Sequence, residues 1–155
     1  MKQEPGRQQP GIPSLKGGEE VKHWTAEYLG KPWRNGADGP DAFDCYGLVR
    51  AVYWDRYGVE MPAISADATK VLACLHAARD YADYGQWEAV TVPQDGDVLL
   101  MGSARHPHHV GVLVEGRVLH SVEGAGVVLQ TVDSLKMHGW NILKTYRRRA
   151  CTPCA

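Results

Sequence analysis

No stretch of the chain approaches the roughly 20 consecutive apolar residues that a membrane-spanning helix needs. Nor is there a basic excess to hold phosphates: 17 Lys and Arg stand against 18 Asp and Glu, a formal charge of -1. The first deficit excludes membrane insertion by a helix, and the second makes nucleic acid an unexpected ligand. The opening residues, Met1-Lys2-Gln3-Glu4-Pro5-Gly6, lack the apolar core of a secretory signal. The chain is therefore expected to be made and kept in the cytoplasm unless it leaves by lysis or inside an assembly. A disulfide framework is also missing. Of the four cysteines, Cys45 and Cys74 fall in helical patterns, and Cys151 and Cys154 form a terminal C-x-x-C, which fits a reducing compartment. No internal repeat is found.

What remains is the profile of one globular domain. The 155 residues are 44% apolar and 23% charged, enough for a single core. Residues 1–18, with three prolines, four glycines and three glutamines, read as a flexible leader. Residues 19–149 form the domain and 150–155 a tail.

Val21, Trp24, Tyr28 and Leu29 make a helical stripe that ends at Gly30 and Pro32. Asp44 opens the clearest helix, in which Cys45, Leu48, Val49, Val52 and Tyr53 recur at helical spacing and Gly58 closes the run. A second helix is expected over 67–79. From Val90 the period becomes two. Strands are expected at Val98–Met101, His109–Val114, Val118–Val122, Val127–Thr131 and Asn141–Arg147. Helices followed by an antiparallel sheet give an α+β fold, with the helices packed on one face of the sheet.

Cys45 stands in the first turn of its helix, after Asp44, a favourable N-cap residue. Unpaired backbone N–H groups and the helix dipole favour a thiolate there. A cysteine on an apolar stripe is usually only a small buried hydrophobe, so the case depends on partners. If Glu115-Gly116 is a two-residue hairpin turn, Val114 pairs with Arg117 and Gly111 lies opposite His120. His109, Gly111 and Leu113 then share a face with Val118, His120 and Val122, and Gly111 leaves room over the position opposite His120. A β-bulge would flip that register. One imidazole of such a pair can take a thiol proton while the other fixes its tautomer.

Asp44-Cys45-Tyr46-Gly47-Leu48-Val49, Gln94-Asp95-Gly96-Asp97-Val98-Leu99-Leu100, His109-Val110-Gly111-Val112 and Val118-Leu119-His120 together resemble the NlpC-type family of papain-like cysteine peptidases, which cut peptides of bacterial murein. The resemblance spans about residues 20 to 148. It is strongest to members associated with bacteriophage tails, through Gly30-Lys31-Pro32-Trp33, Tyr46-Gly47-Leu48-Val49-Arg50 and the closing segment Trp140–Arg147. It implies a papain-like fold with N-terminal helices on a central antiparallel sheet. It also implies Cys45 as nucleophile, His109 as general base, His120 as orienting residue, and the Cys45 N–H in the oxyanion hole. Trp33 stands where many members place an oxyanion-hole tyrosine, and Tyr46 where many have a groove-lining serine. Asp44 is a candidate for meeting a substrate amine, although capping is the stronger reading.

The implied reaction is hydrolysis of peptidoglycan stem peptides, at the γ-D-glutamyl to diamino-acid bond, by a phage or prophage tail component. It needs no metal or organic cofactor. Tail-tip proteins are the further partners implied, with the host cytoplasm and then the virion tail as locations. Two alternatives stay open: a structural tail-tip subunit with little activity, and a papain-like amidase or acyltransferase on another substrate. His106-Pro107-His108 reads as a loop at the cleft rim or in solvent rather than a zinc site. The terminal C-x-x-C reads as inert, Arg147-Arg148-Arg149 as a solvated run, and Cys74 and His76 as packing and surface.

Overall fold

The computed structural model describes residues 22–61, 87–103 and 106–149. The leader, the helix expected over 67–79 with Cys74 and His76, and the tail with Cys151 and Cys154 lie outside them. Six strands, β1 (Trp87–Ala89), β2 (Val98–Ser103), β3 (His106–Val114), β4 (Arg117–Val122), β5 (Gly126–Thr131) and β6 (Asn141–Arg148), form one sheet. Its order is β1-β6-β2-β3-β4-β5, with every pairing antiparallel. The five expected strands are present, each within a few residues of its expected bounds. The three-residue β1 adds an edge, and His106-Pro107-His108, expected as a loop, begins β3.

Helix α1 (Cys45–Tyr57) starts at Asp44, whose extended backbone leaves its carboxylate free to cap, and ends at Gly58 in the left-handed conformation, φ 64°. Leu48, Val49 and Val52 are fully buried and pack with Leu100, Val112, Val114, Leu119 and Val127. Each such side chain contributes roughly 1.5–3 kcal/mol by leaving water. The alternate residues of the strands face away from α1. Leu99, Met101, Leu113 and Val118 make a second core with Leu135 of α2 (Val132–Met137). Helices therefore lie on both faces of the sheet, not one as the order of elements suggests.

The stripe through Trp24 and Tyr28 forms only a 3₁₀ turn, Trp24–Glu27. Thr25 is buried, and the chain leaves the turn to lie along β5, where Gly30 N–H donates to Val127 O (3.0 Å) and Val127 N–H to Lys31 O (2.9 Å). That edge pairing, with Pro32 following, leaves no room for a longer helix.

The basic run near the C-terminus is only partly solvated. Arg147 makes a bidentate pair with Asp97, through Nε to Oδ1 at 3.0 Å and Nη2 to Oδ2 at 2.9 Å. Asp97 is 1% exposed and also accepts from Gln94 N–H at 2.7 Å. This planar fork ties β6 to the turn that enters β2.

Gly47 in the first turn of α1 sits against the loop before it. A Cβ there would lie 2.0 Å from the Ala37 carbonyl oxygen and 2.9 Å from Asp38 Cα. Glycine to alanine inside a helix ordinarily stabilises by about 1 kcal/mol. Gly47→Ala should instead destabilise by about 1–3 kcal/mol, because backbone must move to admit the methyl group. Urea midpoints of the two proteins check this, and an unchanged or raised midpoint would show that the loop is free to retreat.

Candidate active site

The mouth of α1 is fixed from several sides. Asp44 Oδ1 accepts from Gly47 N–H at 2.5 Å and Oδ2 from Gly36 N–H at 2.9 Å, while Asp44 N–H donates to Ala37 O at 2.8 Å. Burial raises the Asp44 carboxyl above its ordinary value, and the backbone N–H groups of Gly47, Gly36 and Tyr46 partly offset that rise. Both carboxylate oxygens are thus taken up within the chain. Phe43 forms backbone bridges to Trp33 and Asp38, and its carbonyl accepts from Ser121 Oγ at 2.7 Å. Because Ser121 lies on β4, this bond brings the start of α1 to the end of the sheet where β4 finishes and β3 begins. Cys45 is 4% exposed and belongs to the buried cluster that includes Val110, Val112 and Leu119. Tyr46 is 8% exposed in the same core, and Trp33 is half-buried against it.

His109 and His120 meet at that end of the sheet. Glu115 and Gly116 both take positive φ, 49° and 75°, as a tight hairpin turn requires. Glu115 is held there by donating its N–H to Asp95 Oδ1 at 2.7 Å. The β3–β4 ladder then runs from Val114↔Arg117 to Val112↔Leu119 and stops one residue short of Gly111 and His120. A bulge is present, but it lies on the other side of β3. Met101 pairs with His109 and Gly102 with Pro107, so His108 is the extra residue and the alternation from His109 onward is kept. His109 and His120 therefore share a face, with Nε2 of His109 2.7 Å from Nδ1 of His120. Gly111 does not leave an open space between them. A Cβ there would lie 2.7 Å from Val118 Cγ1 and 3.1 Å from Met101 Cε, so glycine lets these chains close up.

Burial, then the neighbouring His120 and His108, pushes His109 well below the usual imidazole value. Burial lowers His120 too, against a smaller upward effect of its bond to Gln130. Both shifts favour the neutral ring, the form in which an imidazole accepts a proton.

Two residues not singled out in the sequence complete the cluster. Trp140 stacks on His109 with centroids 4.5 Å apart and 30° between planes, and also meets His108 at 5.1 Å and His120 edge-on at 6.2 Å. Gln130 Oε1 lies 2.6 Å from His120 Nε2. His108, expected at the rim or in solvent, is half-buried; it accepts from Ser103 N–H at 3.0 Å and meets Trp140. The signal for Gln130 was its place in β5, two residues after Val128, which pairs with His120. Trp140 gave none beyond opening the closing segment. Among the described residues, no group of three or more His, Cys, Asp or Glu side chains is placed to hold a metal ion.

An imidazole kept neutral by the fold binds fewer protons than it does in the unfolded chain. Stability from these rings is therefore complete above the unfolded value of 6.5 and is lost as pH falls below it. Asp44 works in the opposite direction, since its carboxyl is raised by burial. The histidine part is isolated by difference. The stability of the native chain minus that of a His109→Asn/His120→Asn variant should shrink between pH 7.5 and 5.5, by up to about 1.4 kcal/mol per pH unit for each ring. Urea melts measure it, and parallel curves for the two proteins would mean that the rings charge freely in the fold.

The chain is similar to several known proteins. The chain is 26% identical over 111 residues to a "Probable endopeptidase" of Haemophilus influenzae, covering 70% of this chain and 61% of that protein. It is 25% identical over 118 residues to "Probable endopeptidase p60" of Listeria grayi, covering 74% of this chain and 19% of that protein. It thus spans less than two thirds of either relative. Among solved structures, the NlpC/p60 domain of peptidoglycan hydrolase SagA superposes with a TM-score of 0.54 at 22% identity, over 79% of this chain and 92% of that one. NlpC2 from Trichomonas vaginalis superposes with a TM-score of 0.54 at 18% identity, over 78% and 42%. These likenesses establish the papain-like α+β fold expected from the sequence. The model of the NlpC/P60 family matches residues 30–146, from the turn before Trp33 through the capped cysteine and the imidazole pair to the last strand, and the chain belongs to that family.

Proposed function

We propose that the protein is a cysteine endopeptidase that hydrolyses peptidoglycan stem peptides. The observation that carries this reading is a buried pair of hydrogen-bonded imidazoles at the same end of the sheet as the capped first turn bearing Cys45. The names of the relatives, endopeptidases and a peptidoglycan hydrolase, support the substrate class.

In this reading His109 takes the Cys45 proton and the sulfur attacks the peptide carbonyl. The Cys45 N–H, at the positive end of α1, holds the developing oxyanion, and Trp33 supplies a second donor where many members use tyrosine. His109 then gives its proton to the departing amine, leaving a thioester. A water molecule, deprotonated by His109, attacks that thioester and releases the acid and the free thiol. His120 holds His109 in orientation throughout. Tyr46 and Asp44 flank the nucleophile as candidates for shaping the groove. Thiol–imidazole chemistry of this kind requires no metal or organic cofactor.

The finer reading is cleavage of the γ-D-glutamyl to diamino-acid bond by a bacteriophage or prophage tail component, seated among tail-tip proteins. Such a component is made in the host cytoplasm and carried in the virion tail. Its support is the wording of three segments, Gly30-Lys31-Pro32-Trp33, Tyr46-Gly47-Leu48-Val49-Arg50 and Trp140–Arg147.

Purified sacculi test both levels. The native chain should lower turbidity, and Cys45→Ala should reduce the rate by about a thousandfold or more. Fragment masses from walls of known stem composition should show a new amine on the diamino acid. Equal rates in the two proteins would end the cysteine mechanism, and fragments cut elsewhere would end the bond assignment.

A further inference from the structure

We propose that Gln130 is a positioning residue of this site: its side-chain carbonyl, held in place from α2, fixes the tautomers of both imidazoles so that His109 presents an unprotonated Nδ1. This rests on the hydrolase reading above and deepens it.

The assignment follows from what each atom can do. Gln130 Oε1, 2.6 Å from His120 Nε2, is a carbonyl oxygen and only accepts, so the hydrogen lies on Nε2. A neutral imidazole carries one N–H, which leaves His120 Nδ1 as an acceptor. Its neighbour at 2.7 Å is His109 Nε2, which must then be the donor. The remaining nitrogen of His109, Nδ1, is a bare lone pair. Reversing the amide would reverse every step. With its NH₂ toward His120, the hydrogen on His109 would fall on Nδ1, and the ring could take no proton from a thiol.

The surroundings also engage the far end of the amide. Gln130 pairs across the sheet with Val118, and its Nε2 donates to Ser134 Oγ at 3.1 Å. Ser134 is itself fixed, since its N–H donates to Thr131 Oγ1 at 3.2 Å in the cap of α2. His138 Nδ1, 3.5 Å from the amide nitrogen, directs its hydrogen to the Ser134 carbonyl at 2.7 Å and does not compete as an acceptor. Trp140, stacked on His109, blocks the ring turn that would exchange its two nitrogens. An amide suits this position because it accepts without a charge. It orients His120 while leaving the pair neutral, whereas a carboxylate would favour the imidazolium. During the reaction the proton passes from sulfur to Nδ1 of His109 and from there to the leaving amine. The hydrogen between the rings stays on Nε2.

The test uses the full chain with ¹⁵N-labelled histidine, read by long-range ¹H–¹⁵N spectra at pH 7.5, for the native protein, Gln130→Met and Gln130→Glu. In the native chain both rings should carry hydrogen on Nε2. Gln130→Met should release His120 to a mixture of tautomers and lower kcat on a soluble stem peptide about ten- to a hundredfold, with KM changed less than about twofold. Gln130→Glu, which keeps an acceptor but adds a charge, should keep hydrogen on Nε2 of His120 and raise the pH at which that ring becomes imidazolium. Hydrogen on Nδ1 of His120 in the native chain would overturn the proposal. So would a Met variant with native tautomers and an undiminished kcat. Because the spectra need no substrate, Nε2–H tautomers in a chain that cuts no murein would uphold the tautomer assignment and fail the hydrolase reading alone.

Discussion

The carboxylate of Asp44 is the constraint on which the site depends. One oxygen closes the first turn of α1 through Gly47, and the other anchors the preceding loop through Gly36. A cap with a single bond would fix the helix and leave the loop to wander. Two bonds fix both, so the backbone around Cys45 has one position relative to Trp33 and Phe43. The bond from Ser121 to the Phe43 carbonyl then transfers that position to the sheet. The cost is a carboxyl held in a buried place, and it is met by backbone N–H groups instead of by a counter-charge.

The two faces of the sheet divide the work. The face toward α1 is aliphatic, and Leu48, Val49 and Val52 make it rigid. The other face begins as aliphatic near Leu99 and Val118 and turns polar and aromatic at the end where His109, His120, Gln130 and Trp140 gather. A ring pair surrounded this closely has few rotamers to explore, which is what preorganisation of an acid–base site requires. The short α2 contributes on this face through both Leu135, which packs, and Ser134, which orients an amide.

Local rules carried much of this into the sequence. The Asp44 cap, the apolar stripe of α1 and its end at Gly58 involve residues a few positions apart, so spacing alone revealed them. The same holds for the Glu115-Gly116 turn, which set the shared face of His109 and His120. What spacing could not reveal depended on contacts between distant segments. The bulge at His108 arises from how β2 lies against β3. Gln130 reaches His120 only through the register of β4 on β5, and Trp140 reaches His109 only because the chain turns back after α2. Likewise the helical stripe at Trp24 is sound by periodicity, but pairing of residues 30 and 31 with Val127 overrides it. Arg147 looked like one of three solvated cations until Asp97 appeared beneath it.

The pairing of Gly30 and Lys31 along β5 has a consequence for how copies of the protein meet. An uncovered outermost strand offers a template for another chain, and natural sheets commonly shield or shorten such margins. Here residues 30 and 31 occupy backbone positions on β5 that an incoming strand would need. Growth of the sheet from one molecule into the next is thereby discouraged at the β5 margin, where crowding many copies into one place would engage side-chain surfaces before it engaged the main-chain edge.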